Sequence, residues 1–194
     1  MKKLEQINLW SLEEYAEIRS DFKSKVIAHK QNRQLPIGPN ATIYFEDSLT
    51  IQYQIQEMLR IERIFDAKAI KEELDTYNPL IPDGSNWKAT FMIEFGDEAE
   101  RRKALAKMKR IEDTIWIQVE GHNKIRPFVN EDMERTNDDK TSAVHFLRFE
   151  LDEDMVASLK KGGNLSAGVS HAEYHHIVDV VPGKIRELLL EDLN

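Results

Sequence analysis

The sequence contains no cysteine among its 194 residues. This absence excludes disulfides, cysteine-ligated zinc, iron–sulfur clusters held by the chain's own thiolates, and thiol nucleophiles. A chain without cysteine suits the reducing interior of a cell, so we expect a cytoplasmic protein.

Long apolar runs are lacking as well. Leu188–Leu190 is among the most apolar segments, whereas a membrane helix needs about 20 consecutive apolar residues. Near the N-terminus, the polar residues Glu5 and Asn8 come soon after the first two lysines and leave no room for an apolar stretch, so we expect no signal peptide. These observations predict that the protein has no membrane partner.

Positive charge is in short supply, because the chain has 27 Lys and Arg against 35 Asp and Glu, a net charge of −8. A surface of this sign repels phosphate backbones. Two stretches, 19–33 and 101–110, are basic although the chain as a whole is acidic. The second coincides with the end of a predicted helix, where cations are favourable. We therefore expect no nucleic-acid partner.

The first part of the chain, 1–76, is predicted to be mainly helical. Ser11 and Glu14 have the spacing of a capping box, and apolar residues then recur every three or four positions. The pattern predicts a helix over 12–33, a short strand over 41–46, a second helix capped by Asp47 or Ser48 and reaching Phe65, and a third helix near 67–76.

The part from 85 to 194 is predicted to be an α/β sheet region, and the whole chain a single domain. Strands are predicted over 88–95, 115–120, 144–151 and 165–169, with Asp97 and Asp152 as helix caps. The order gives two strand–helix–strand units of roughly 30 residues each. We expect an α+β fold in which the N-terminal helices pack on one mixed or antiparallel sheet, with a ferredoxin-like arrangement as one form of it.

Four long segments carry a resemblance to a known family. They are KVIAHKQNR at 25–33, FEDSLTIQYQIQEMLRIERIF at 45–65, YNPLIPDGSNWKATFMIEF at 77–95 and EDMERTNDDKTSAVHFLRFEL at 131–151. Over nearly the whole chain the sequence resembles an uncharacterised bacterial family of domains of unknown function (DUF3501). The resemblance implies no catalytic residue, because this family has no assigned activity. It implies a redox context, since members tend to be encoded near rubrerythrin-like and iron–sulfur oxidoreductase genes, whose products are the expected partners.

A histidine-rich segment near the C-terminus is a candidate metal site. His171, Glu173 and His175 offer imidazole and carboxylate ligands, which suit a divalent metal such as zinc or iron. On a helix the two histidines would lie one turn apart, but on a strand they would lie about 13 Å apart, leaving Glu173 as the neighbour of each. The alternative is an exposed polar edge that happens to be rich in histidine.

Several polar residues fall on faces where the pattern predicts apolar ones. His29, His145 and Glu62 are the candidate catalytic residues, and Arg19, Arg33 and Arg60 are the candidate ligands of an anionic substrate. Buried charges must be paired, so these residues either form a structural network or line a cleft between the first two helices and the strand at 143–151.

Two functional hypotheses stay open. The first is a non-enzymatic accessory or ligand- or metal-binding protein that works beside cytosolic redox proteins. The second is a small metal-dependent or histidine-based, hydrolase-like enzyme that acts on an anionic substrate. A closed, paired network would favour the first, which we prefer, and an open cleft holding these histidines would favour the second. Exposed sheet edges make a homodimer a further expectation.

Overall fold

Helices and strands alternate along the chain in the computed structural model, which describes residues 2–131, 135–136 and 139–194. The α-helices in these ranges are α1 Leu12–Lys30, α2 Ser48–Glu62, α3 Ala67–Tyr77, α4 Glu98–Lys107, α5 Glu153–Lys160 and α6 Gly183–Glu191. The strands are β1 Gln34–Pro36, β2 Ala41–Phe45, β3 Asn86–Ile93, β4 Ile115–Val119, β5 Phe128–Val129, β6 Val144–Glu150, β7 Leu165–His171 and β8 Tyr174–Val178.

The strands form two antiparallel sheets. One has five strands in the order β1-β2-β3-β6-β5, and the other has three in the order β4-β7-β8. The predicted α+β class and antiparallel pairing are confirmed. The expectation of one sheet, ferredoxin-like or otherwise, is wrong, because the strands divide between two.

Both predicted strand–helix–strand units are present, and each connects the two sheets. The units β3-α4-β4 and β6-α5-β7 begin in the five-stranded sheet and end in the three-stranded one. Their first strands pair with each other, as Trp87 with Phe149, and so do their second strands, as Ile117 with Ala167. The alternation of apolar residues specifies which side chains point inward, but not which strands pair, so the division into two sheets was not predictable from it.

The main apolar core joins the inward faces of both sheets to the C-terminal helices. Ile43, Phe91 and Phe149 from one sheet and Ile117 and Val169 from the other belong to one buried cluster. Leu105 of α4, Leu159 of α5 and Leu189 of α6 complete it. This core orients the strands so that alternate side chains of β3 and β6 face away from it.

The N-terminal helices have two smaller cores of their own. Tyr15, Phe22 and Val26 of α1 form one buried cluster, and the apolar residues of α2 and α3 form another around Ile55. The predicted capping box starts α1, since the Ser11 hydroxyl accepts a hydrogen bond from the Glu14 amide at 3.2 Å. The helices therefore form a separate layer beside the sheets.

The outward face of the five-stranded sheet is the part of the fold that positions the candidate site. Lys88 in β3 and Phe146 and Arg148 in β6 occupy the positions that alternate with buried core residues. The end of α3 and the 3₁₀ turn Asn78–Leu80 lie beside this face. Among the described helices, none is both long and apolar enough to cross a membrane.

Candidate functional site

Arg33 lies at the centre of a closed network of charges. Its side chain is only 3% exposed. Its Nε donates to the Phe45 carbonyl at 3.2 Å and lies 3.4 Å from Asp47 Oδ2. Its Nη2 donates to the Asp192 carboxylate at the end of α6. Arg33 therefore ties the C-terminal helix to the N-terminal layer, and its donors face protein acceptors.

His29 joins the same network through Asp47. The His29 Nε2 atom lies 2.5 Å from Asp47 Oδ2. The other oxygen of Asp47 accepts the Thr50 amide at 2.9 Å, because Asp47 is the N-cap of α2. The structure thus brings two predicted site residues, His29 and Arg33, together at one carboxylate. It does not bring His145 or Glu62 to them.

Arg19 and Arg60 share a different carboxylate, that of Glu57. Arg19 donates to both Glu57 oxygens at 2.8 and 2.9 Å, Arg60 donates at 3.0 Å, and the Tyr15 hydroxyl donates at 2.8 Å. The hydrogen bond from Arg19 is the main reason why the pKa of Glu57 falls to about 2. Both arginines are therefore engaged inside the helical layer.

Glu62 is not inward, and this prediction is wrong. The residue is exposed because α2 ends there and Arg63 adopts a left-handed conformation with φ 55°. The sequence pattern predicted that the apolar face of this helix continues through Glu62. The turn at Arg63 ends the helix there, so Glu62 does not lie on that face.

His145 does point inward, as predicted, and is closed off from solvent. Its Nε2 lies 3.0 Å from both the Thr141 hydroxyl and the Ser142 carbonyl, and its Nδ1 lies 3.0 Å from the Asn130 amide nitrogen. Burial lowers the pKa of His145, although the buried Glu112 carboxylate 3.8 Å away opposes the shift. The ring is a buried, hydrogen-bonded core group, and Glu112 is a buried partner that sequence reasoning missed.

The histidine-rich segment forms the β7–β8 hairpin rather than a helix. His171 ends β7, Glu173 lies in the turn and His175 lies in β8. The His171 Nε2 faces the Lys109 carbonyl at 3.1 Å, and its Nδ1 accepts the Glu173 amide at 3.1 Å. In the described part of the chain, no group of three His, Asp or Glu side chains is placed to hold a metal ion. The three predicted ligands, His171, Glu173 and His175, are therefore not arranged as a metal site in the structure.

A cleft of about 490 Å³ separates the end of α3 and its 3₁₀ turn from the outward face of β3 and β6. The apolar residues that line it are Tyr77, Pro79, Leu80, Phe146 and Leu147, of which Leu147 is also part of the main core. Its polar lining consists of Thr76, Lys88, Glu131, Arg135 and Arg148. The cleft touches β6, but its helical wall is α3 rather than the first two helices, and none of the predicted catalytic residues lines it.

Lys88 is the distinctive residue of this cleft. Its side chain is half-buried, and its amine makes no hydrogen bond or ion pair with any residue that the structure describes. Burial lowers the pKa of Lys88, and the positive charge of Arg148, its direct neighbour across the strands, lowers it further. The negative charges of Glu131, Asp83 and Glu150 act in the opposite direction.

Arg148 differs from Lys88 because carboxylates neutralise its charge. Its Nε and Nη2 donate to the two oxygens of Glu131 at 2.8 and 2.6 Å, and its Nη1 contacts Glu150. The hydrogen bond from Arg148 lowers the pKa of Glu131. Arg135 lies over the Phe146 ring, with 4.6 Å between its guanidinium carbon and the ring centroid. The described lining thus carries three cations against one carboxylate, in a protein whose net charge is −8.

The comparisons with known proteins place the chain in a family. The family described as "Protein of unknown function (DUF3501)" matches residues 3–193. The chain belongs to this family. A novel protein of unknown function from Burkholderia pseudomallei K96243, with a crystal structure at 1.90 Å resolution, is 45% identical over 100% of both chains, with a TM-score of 0.93. No functionally curated protein matches the chain.

These findings confirm the resemblance read from the four long segments, and the family is one without an assigned activity. Neither comparison assigns a function, so both functional hypotheses from the sequence stay open. A functional proposal must therefore come from the site itself.

Proposed function

We propose that this protein binds a small amphipathic organic anion in the cleft between α3 and the five-stranded sheet. The ligand's carboxylate or phosphate lies at Lys88, and its apolar body lies against Phe146 and Leu80. The observation that carries the proposal is the half-buried Lys88 amine, which has no counter-ion among the described residues.

The shape and lining of the cleft support a small-molecule ligand. A volume of about 490 Å³ falls within the range of roughly 300–1,000 Å³ that is usual for ligand sites. Such sites combine mostly apolar walls with a few polar groups that orient the ligand, and the lining of this cleft has that composition. The ligand therefore needs an apolar body as well as an anionic group.

The charge of the lining supports an anion. A partly buried ammonium without a partner loses hydration and gains nothing in return. A ligand carboxylate would supply the missing partner, and a hydrogen bond to a charged group contributes about 1.5–3 kcal/mol. Arg135 and Arg148 add positive potential on the same side of the cleft.

The pairing of the histidines favours a binding protein over a histidine-based enzyme. His29 and His145 have protein partners, and neither lines the cleft. We propose that ligand binding is the chain's contribution beside rubrerythrin-like or iron–sulfur proteins in the cytoplasm. This partnership rests on the family's gene context, and a homodimer likewise stays a prediction.

The test is a titration with the fluorescent anion anilinonaphthalene sulfonate, which combines an aromatic body with one sulfonate. We expect Lys88→Met to raise its Kd by about tenfold, equivalent to about 1.4 kcal/mol. Lys103→Met is the matched control, because Lys103 is exposed on α4 and lies outside the cleft. Competition by octanoate and by octyl phosphate distinguishes the two headgroups. Equal Kd values for wild type and Lys88→Met would contradict the proposal.

A further inference from the structure

We infer that Lys88 also forms an imine with its ligand, which is then a small aldehyde or ketone that carries a carboxylate or phosphate. The inference rests on the proposed function, because the same cleft must hold the anionic group. It goes further in naming the reactive carbonyl and the atom that attacks it.

The first support is the rigid placement of Lys88. The residue lies in β3, between β2 and β6, and is the direct partner of Arg148 across the strands. Its carbonyl accepts a hydrogen bond from the Glu46 amide at 2.8 Å. Side chains that start from the middle of a sheet are held more precisely than those on loops, so the Lys88 side chain enters the cleft from a fixed backbone position.

The second support is the state of the amine. A lysine reacts with a carbonyl only as the neutral amine, and an apolar pocket or an adjacent cation favours that form. Lys88 has both, since it faces apolar walls and lies beside Arg148. These two features lower its pKa.

Other lysines of the chain lack this combination. Lys71 on α3 is 72% exposed and donates to Asp75 at 2.6 Å. Lys124 lies over the Trp116 ring, 3.6 Å from its centroid. An amine that is paired or engaged in this way has less freedom to attack a carbonyl carbon than the amine of Lys88.

The chemistry needs no oxidant, reductant or metal. The lone pair of Lys88 Nζ attacks the carbonyl carbon, so that a C–N bond forms while the C=O double bond opens to a hydroxyl. The carbinolamine then loses that oxygen as water, with both amine protons transferred to it, and a neutral C=N bond remains. In a ligand that reacts in this way the carbonyl carbon, rather than the anionic group, lies at Lys88 Nζ, and the anionic group lies toward Arg135 and Arg148, which line the same cleft.

The experiment uses para-carboxybenzaldehyde with sodium cyanoborohydride, which reduces an imine to a stable amine. We expect one adduct by intact-mass measurement, mapped by peptide sequencing to Lys88 and formed about tenfold faster than at an exposed lysine. Lys88→Arg keeps the charge but forms no imine, so the adduct is lost. Lys71→Arg is the control and keeps it. Benzoate, which has the anion without the carbonyl, slows the labelling.

Labelling that spreads over exposed lysines and is unchanged in Lys88→Arg would overturn the inference. The outcome is distinguishable from a failure of the proposed function. If the wild type binds anilinonaphthalene sulfonate through Lys88 but is not trapped, the imine is wrong and anion binding stands. If it neither binds the anion nor is trapped, both are wrong.

Discussion

Arg33 and Lys88 are both cations removed from bulk water, but the chain surrounds them in opposite ways. Arg33 is met by two carboxylates, those of Asp47 and Asp192, and by backbone carbonyls. Lys88 meets neither within the described residues, and it faces a cleft rather than the core. A cation that the fold neutralises has a structural role, whereas a half-buried cation in a cleft, with no partner among the described residues, supports the proposal that an anion binds there.

The largest expected effect comes from removing the charge that the fold neutralises. Arg33→Met leaves the buried Asp192 without its ion-pair partner and removes one cation from Asp47, which keeps His29. We therefore expect the free energy of unfolding to fall by about 3–5 kcal/mol. This loss is measured by urea unfolding of both proteins, monitored by circular dichroism.

The matched variant is Lys88→Met, which removes a charge that has no described partner. We expect its free energy of unfolding to stay within about 0.5 kcal/mol of the wild type. A large loss of stability in Lys88→Met, or none in Arg33→Met, would break the contrast between the two regions.

A smaller effect, on anion binding, is expected from changing Glu131 in the cleft. Glu131 accepts from the Nε and Nη2 atoms of Arg148 in the way that a ligand carboxylate would. Glu131→Gln should therefore tighten binding of anilinonaphthalene sulfonate by about two- to fivefold, since exposed ion pairs contribute up to about 1 kcal/mol. Glu150→Gln is the control, because Glu150 contacts Arg148 but does not line the cleft. Unchanged or weaker binding in Glu131→Gln would show that Arg148 does not serve the ligand.

Local features of the fold were predictable because their causes are local. Ser11, Asp97 and Asp152 each accept a hydrogen bond from the amide three residues later, a pattern that lies within four consecutive residues. Strand β1 was missed, because a strand of three residues carries too little alternation to be recognised. The position of Glu62 was predicted wrongly because Arg63 ends the helix in a left-handed conformation. Glycine usually marks such an end in a sequence, and there is none here.

The candidate site was predictable only in part. The inward position of His145 follows from the alternation of β6. The partners of Arg33 do not follow from any pattern, since Asp192 is 159 residues away along the chain. Lys88 occupies an outward position of β3, but the cleft exists only because α3 and its 3₁₀ turn lie opposite it. Tertiary packing, which periodicity does not encode, creates this site.

The most direct test of the central claim is a crystal structure of the protein soaked with para-bromobenzoate, in which anomalous scattering locates the bromine. The account predicts a bromine against Phe146 and Leu80, with the carboxylate within about 3 Å of Lys88 Nζ, the distance of a charge-assisted hydrogen bond. A well-ordered bromobenzoate bound only elsewhere, with this cleft free of it, would contradict the account.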